Sequence, residues 1–502
     1  MNFKNIKHRI VTKSFVLVFA AGVLGCNTEL LDPTPQTQFS DKVVFDTPAR
    51  IDLQVNSIYT FVKSGNFLGG RYQIYGDIRA NDFINRTNNG VTGYGVWNHT
   101  LTETSINDVN NCWNAGYAAI NQINVFLQGM ADNAAKFIPP DFPANYATTA
   151  QAYIAEGRFL RAVCYYSLLQ LYARPYTDGN GSRPGLPLRL LAEKGQANND
   201  LARSTVAEVY TQILSDLNFA EANLPASYAN ATLNTTRAHR NTAIAFKTRV
   251  YLSMADYANV VTEANKIVSA SAPFNASASG GVNHALQANI ANVFATPQET
   301  TESIFSFPFT AQNAPGTQNQ LGFYYNASTN GQGGGGEYSL NNAGIIGNTT
   351  DWPAADARRT FNVAAAASGG AFFLRKYQSP SPYTDKAPVI RYSEVLLNLS
   401  EALARTNAGV NARSLALLNA VRQRSQASFT WAPADNAALI NAILTEKRIE
   451  LLGEGLRNND LMRLQAQIPG KAGVPAVDPT SPNYIWPIPT SELNVNTLCV
   501  RN

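Results

Sequence analysis

The sequence predicts a mainly α fold in which tetratricopeptide-like helical pairs form an α-α superhelical scaffold, with long irregular loops and few short strands. Three observations lead there. Apolar residues recur at three- and four-residue spacing over several long stretches. Those stretches come in pairs broken by short turns. Ala155, Phe159 and Ala162 stand at the spacing of a tetratricopeptide second helix, where small residues let two helices approach and an aromatic fills the groove between neighbours.

Taken in chain order, the first element is a targeting segment. Lys4, Lys7, Arg9 and Lys13 precede an apolar run, Phe15 to Gly25, that is shorter than the ~20 residues a spanning helix needs. Residues 1–25 therefore read as a signal peptide. Val23-Leu24-Gly25-Cys26 resembles the bacterial lipobox, so Cys26 is expected to become a lipidated N-terminus, with 26–40 as its tether. Several acyl chains at about 0.8 kcal/mol per buried methylene would hold such a protein on a membrane. Of the 39 Lys and Arg, four lie in that segment, and none of the 35 Asp and Glu does, so the remainder is formally neutral. Nucleic-acid binding, which needs a one-sided positive field, is excluded.

Pro48 opens a helix over about 48–63, with Ile51, Val55, Ile58 and Val62 on one face. Residues 65–108 show no period and read as loops. "CWNAGYAAINQINVFLQGM" and "AQAYIAEGRFLRAVCYYSLLQLYARPY" form the next pair, stopped by Pro175. Two further helices are expected over 204–224 and 237–254. Asp256-Tyr257 turns the chain into another helical pattern, two helices flank Gly409, and "LINAILTEKRIELLGEGLRNNDLMRLQ" closes the series. The predicted core includes Trp113, Tyr117, Phe159, Val163, Tyr166, Leu396, Leu417 and Leu451. Residues 272–355 and 466–502 are aperiodic. Gly331, Gly333 and Gly336 satisfy a G-x-G-x-x-G pattern, but with no strand before it the segment reads as a loop. Cys112, Cys164 and Cys499 show no metal or disulfide spacing, and Cys112 and Cys164 read as buried apolar residues.

Several blocks together resemble the SusD/RagB family of nutrient-binding outer-membrane lipoproteins. They are Leu31-Asp-Pro-Thr-Pro35, Trp113-x-x-x-Tyr117-x-x-Ile120-Asn121-x-x-Asn124 and Ala155-Glu156-Gly-Arg158-Phe159-Leu160-Arg161-Ala162. Further along stand Arg391-Tyr392-Ser-Glu394, Leu418-Asn419-x-Val421-Arg422-x-Arg424, Glu446-Lys-Arg448-Ile-Glu450-Leu451-x-Gly453-Glu454-Gly-x-Arg457-x-x-Asp460 and Trp486-Pro487-Ile488-Pro489. The ending at Leu498-Cys499-Val500-Arg501-Asn502 departs from the family's usual tail. The resemblance implies a SusD-like domain over 41–502 with loop insertions at about 65–108 and 272–355. It also implies a surface lipoprotein that hands nutrient oligomers to a SusC-like TonB-dependent β-barrel transporter, with no cofactor.

Glu454, Arg457 and Asp460 lie three apart, so Glu454–Arg457 and Arg457–Asp460 pairs are expected on one helix face, as scaffold rather than catalysis. No G-x-S-x-G, H-E-x-x-H or P-loop occurs, and no enzyme is expected. Glycosidase carboxylates carry no sequence spacing, so a lipid-anchored glycoside hydrolase is the remote alternative. Binding is expected on loops that interleave flat aromatics with hydrogen-bonding groups, which suits a sugar ring first and a peptide second. The candidates are Tyr72, Tyr75, Asp77, Asn81, Arg86, Trp97 and Asn98 in the first loop region, and Tyr324 and Trp352 in the second.

Overall fold

The computed structural model describes residues 43–195, 199–277, 280–328 and 333–502. The signal peptide, Cys26 and the tether to residue 40 lie outside the described residues. Two compact units divide between Asp52 and Leu53. In the first, the Arg50 guanidinium Nη1 donates to the Val43 carbonyl at 3.0 Å and Thr47 Oγ1 accepts from the Arg50 amide. Helix α1, Pro48–Val62, starts on the expected proline.

The second unit is mainly helical. Its longer helices are α2 Arg71–Ile78, α3 Asn111–Asp132, α4 Tyr146–Tyr172, α5 Val206–Asn223, α6 Arg240–Ser253, α7 Tyr257–Ala264, α8 Tyr392–Arg405, α9 Ala412–Ser425, α10 Asn436–Glu450 and α11 Arg457–Arg463. Side chains set their starts. Thr205 and Glu208 form a reciprocal capping box on α5, and Asp256, Asn411 and Asp435 each accept a backbone N–H at the head of α7, α9 and α10. From α3 to α8 each helix packs on the next, then α8 packs on α9 and α10. This is the expected array of pairs. A Cβ on Gly116 of α3 would fall 2.9 Å from the Leu168 side chain of α4, so glycine sets that close approach. Trp113, Phe159, Val163, Tyr166, Leu396, Leu417 and Leu451 are buried as expected, while Tyr117 is half-buried, its hydroxyl donating to the Pro187 carbonyl at 2.9 Å.

Among the described residues, six short strands form three antiparallel pairs: β1 Phe83–Asn85 with β3 Tyr338–Leu340, β2 Ser303–Phe307 with β6 Ala387–Arg391, and β4 Asn362–Ala365 with β5 Ala371–Leu374. Both stretches expected as loops therefore contain regular structure. α2 has every residue buried, so it shows no polar face and no apolar stripe, and its sequence gives no helical period.

A buried ionic cluster joins α9, α10, β6 and the loops before them. Arg391 pairs with Glu302 (2.5 Å), Glu450 (2.7 Å) and Glu454 (2.7 Å). Arg424 reaches Glu302 and Glu450, Arg358 reaches Asp356, Glu446 and Glu450, Arg422 reaches Asp356 and Glu446, and Lys376 reaches Glu454. These charged residues are scaffold, but the expected Glu454–Arg457 and Arg457–Asp460 pairs do not form. Gly453 and Gly455, at φ of +84° and +83°, turn the chain between α10 and α11, so Glu454 and Arg457 share no helix. Asp460 pairs instead with Lys447 (3.1 Å) and Arg463 (2.7 Å). The atypical tail is held down by Asn502, whose amide donates to the Trp486 carbonyl at 2.5 Å and the Tyr172 carbonyl at 3.1 Å.

Candidate functional site

The two loop regions that the sequence offers as separate binding candidates meet in one place. β1 and β3 pair Phe83 with Leu340, Ile84 with Ser339 and Asn85 with Tyr338. The adjoining turn is fixed from within. Buried Glu337 accepts from the hydroxyls of Thr87 and, at 2.6 Å, Thr92, and its carbonyl accepts the Arg86 amide at 2.9 Å. Beneath lie the rings of Tyr324 and Tyr338, stacked at 6.2 Å, and Phe83 against Tyr325 at 5.0 Å.

Most of the aromatic candidates belong to this underside. Tyr72, Tyr75, Trp97, Tyr324 and Trp352 are buried, and as placed none offers a ring face to a ligand. Tyr75 donates to Asp108 Oδ1 at 2.8 Å and packs on Trp486, and Tyr72 meets Phe67 edge-on. Trp97 Nε1 donates to the Phe83 carbonyl at 2.9 Å, and Trp352 lies under the Arg359 guanidinium at 4.3 Å. Asp77, also buried, accepts the Gly455 amide at 2.9 Å, and desolvation raises its carboxyl to about 7. Missing period reads as an exposed loop, yet a segment buried on every side lacks period too.

The remaining candidates reach the surface. Arg86 is exposed, its Nε donating to Ser339 Oγ at 2.7 Å across the β1–β3 pair. Asn98 is half-buried and ends the short helix Tyr94–Trp97 through its amide, and half-buried Asn81 accepts from Arg448 Nη2 at 2.9 Å. Beside Arg86, Thr87 and Asn88 are exposed. Across the Gly335-Gly336-Glu337 run stand two half-buried rings, Phe323 and Tyr383, 6.1 Å apart, with the Gly335 amide donating to the Phe323 carbonyl at 2.7 Å. Tyr383 was not among the expected residues. It lies in "SPSPYTDK", and only the fold brings it to Phe323. The site thus offers a polar edge beside partly open aromatic faces, which can stack on one apolar surface and hydrogen-bond hydroxyl groups around it.

Comparison with known proteins gives a consistent answer. A family model described as SusD-like, starch-binding and associating with the outer membrane matches residues 29–252, and a SusD family model matches 248–502. SusD-like protein P2 of Formosa agariphila is 24% identical, over 97% of this chain and 98% of its own length. Among solved structures, a SusD superfamily protein from Bacteroides fragilis is 29% identical, covering 91% of this chain and 99% of that one with a TM-score of 0.77. A laminarin-binding SusD-like protein covers 91% and 99% at 21% identity and a TM-score of 0.69.

Proposed function

Because this chain belongs to the SusD family, we propose that it is a lipid-anchored protein of the outer membrane, facing outward, that captures glycan oligomers without cleaving them and passes them to a TonB-dependent β-barrel transporter. One observation carries the glycan reading: the two aperiodic segments converge on a single surface where Arg86, Thr87 and Asn88 adjoin the half-buried rings of Phe323 and Tyr383. Asn81 and Asn98 stand as secondary contacts, and Tyr75, Trp97 and Tyr324 support the surface from below. The starch-binding description of the matching family model supports the ligand class, and its outer-membrane association supports the location. Among the described residues no helix is long and apolar enough to cross a membrane, and the lipobox-like Val23-Leu24-Gly25-Cys26 supports attachment through Cys26.

Stacking plus a few solvent-competed hydrogen bonds, each worth about 0.5–1.5 kcal/mol, should give affinities on the order of micromolar to millimolar. That range suits handover. The test is a glycan and peptide array, then calorimetry of the best ligand on wild type and Arg86→Ala, with product analysis. Weak binding to an oligosaccharide, reduced several-fold in the variant and without cleavage, is expected. Exclusive binding to peptides, or released product, would overturn the reading.

A further inference from the structure

Buried cations in this fold generally meet carboxylates: Arg161 faces Asp216, Arg249 faces Glu394 and Arg463 faces Glu401. Arg79 and Lys471 do not. Arg79 is 3% exposed and donates to Asn458 Oδ1 at 3.0 Å and to the carbonyls of Asn483 and Tyr484 at 2.9 and 2.6 Å. Lys471 is 5% exposed, with its ammonium 2.7 Å from the Arg79 carbonyl and 3.1 Å from His99 Nε2. Among the described residues, neither has an ion-pair partner.

Beside the two cations lies a small surface cleft lined by Arg79, His99, Leu101, Asn483, Trp486 and Pro487, with Lys471 behind His99 rather than in its wall. Trp486 is part of its lining, and among the described residues its buried indole Nε1 has no hydrogen-bond partner. Electrostatics agree. Burial, reinforced by Arg79 and only partly offset by Asp82, which is itself paired with Arg448, lowers Lys471 to about 7, and burial, reinforced by Lys471 and Arg79, lowers His99 to about 4. A negative charge placed among them would relieve each of these shifts. Buried contacts link the cleft region to β1: the Trp97 ring centroid lies 5.6 Å from the Lys471 ammonium, and its Nε1 donates to the carbonyl of Phe83, the first residue of β1.

We propose that this cleft binds an anionic group, a carboxylate or a sulfate, carried by the captured glycan. The proposal rests on the glycan reading and narrows its substrate class to acidic glycans. A neutral sugar would supply acceptors for the N–H groups but leave both buried charges unmatched.

Two arms separate this proposal from the reading beneath it. In the first, the purified full-length protein with labelled histidines is titrated with glucuronate, sodium sulfate or glucose while the His99 ring signal is followed, assigned by loss in His99→Gln. Glucuronate or sulfate should move the signal saturably and raise the His99 titration midpoint. Glucose should do neither. Lys471→Gln should weaken the response about tenfold, and Asn483→Asp, which puts a carboxylate on the cleft rim and leaves the lysine in place, should do the same. In the second arm, calorimetry compares neutral, uronate-bearing and sulfated oligosaccharides of equal length, with the acidic ones expected to bind at least tenfold tighter until Lys471 is replaced. Equal affinity for acidic and neutral oligosaccharides, with a silent His99, overturns the anion site and leaves the glycan reading standing. A responsive His99 with no oligosaccharide binding supports the anion site and overturns the glycan reading.

Discussion

Glu450→Gln should be the most damaging isosteric change in the scaffold. The Glu450 carboxylate, with no exposed side-chain surface, lies 2.5 Å from Arg424, 2.7 Å from Arg391 and 2.9 Å from Arg358. Burial alone would raise its carboxyl, but those guanidiniums outweigh burial and hold it well below the usual carboxylate range. Around it, Arg358, Lys376, Arg391, Arg422 and Arg424 face Asp356, Glu302, Glu446, Glu450 and Glu454, a formally neutral set. The amide removes one negative charge and turns an N–H₂ donor toward donors. Breaking one partner of a buried pair costs about 3–5 kcal/mol, and three cations share this one. Urea unfolding followed by tryptophan fluorescence should show a loss of at least about 3 kcal/mol. The double variant Glu450→Gln with Arg424→Met, which restores neutrality, should recover a substantial part. A loss below about 1 kcal/mol would place the carboxylate outside the clamp and refute the reasoning.

Other outcomes follow from single features. His239 and His284 are buried with rings 5.3 Å apart; burial, and for His239 also its neighbour, lowers both, His284 to about 4. Since the folded state resists protonation that the unfolded state accepts at about 6.5, the stability difference between wild type and His284→Phe should be constant above pH 7 and shift against wild type between about 6.5 and 4, by roughly 3 kcal/mol, whatever Asp77 and Lys471 add to both proteins alike. Urea midpoints of the two proteins measured across that range should show this, and parallel profiles would contradict the assignment. Gly455→Ala should cost at least about 2 kcal/mol, because φ is +83° and the new Cβ would fall 2.4 Å from the Gln73 Cα; a neutral result in thermal melts would mean the α10–α11 turn is not as described. Cys26→Ser, or an inhibitor of lipoprotein signal cleavage, should move the protein out of the mature membrane-anchored fraction, and unchanged fractionation would remove the anchor.

The scaffold was largely legible because α3, α5, α9 and α10 each bury one face and leave the other more open to water, which writes a 3.6-residue period into the sequence. Trp113, Ile120 and Ile123 on α3 show it directly. In α2, only eight residues long, that asymmetry is missing, and its Tyr72, Tyr75 and Asp77 read as loop residues available to a ligand, whereas α8, buried nearly all round, is long enough for its run of leucines to read as a helix. Charge spacing misled for a related reason. Glu454 to Arg457 is a helical interval only if no glycine turn intervenes, and Gly453 and Gly455 supply one. The union of the two candidate loop regions depends on β1 pairing with a strand some 250 residues away, and the Arg79–Lys471 pair on a contact nearly 400 residues long, neither of which local pattern can encode.

The most direct test of glycan capture at the β1–β3 surface is hydrogen–deuterium exchange on the full-length protein with and without the oligosaccharide selected by the array. Slowed exchange should map to peptides covering 84–92, 321–328 and 333–340, and the oligosaccharide should be recovered intact. Protection confined to other segments, or an oligosaccharide recovered in pieces, would contradict the account.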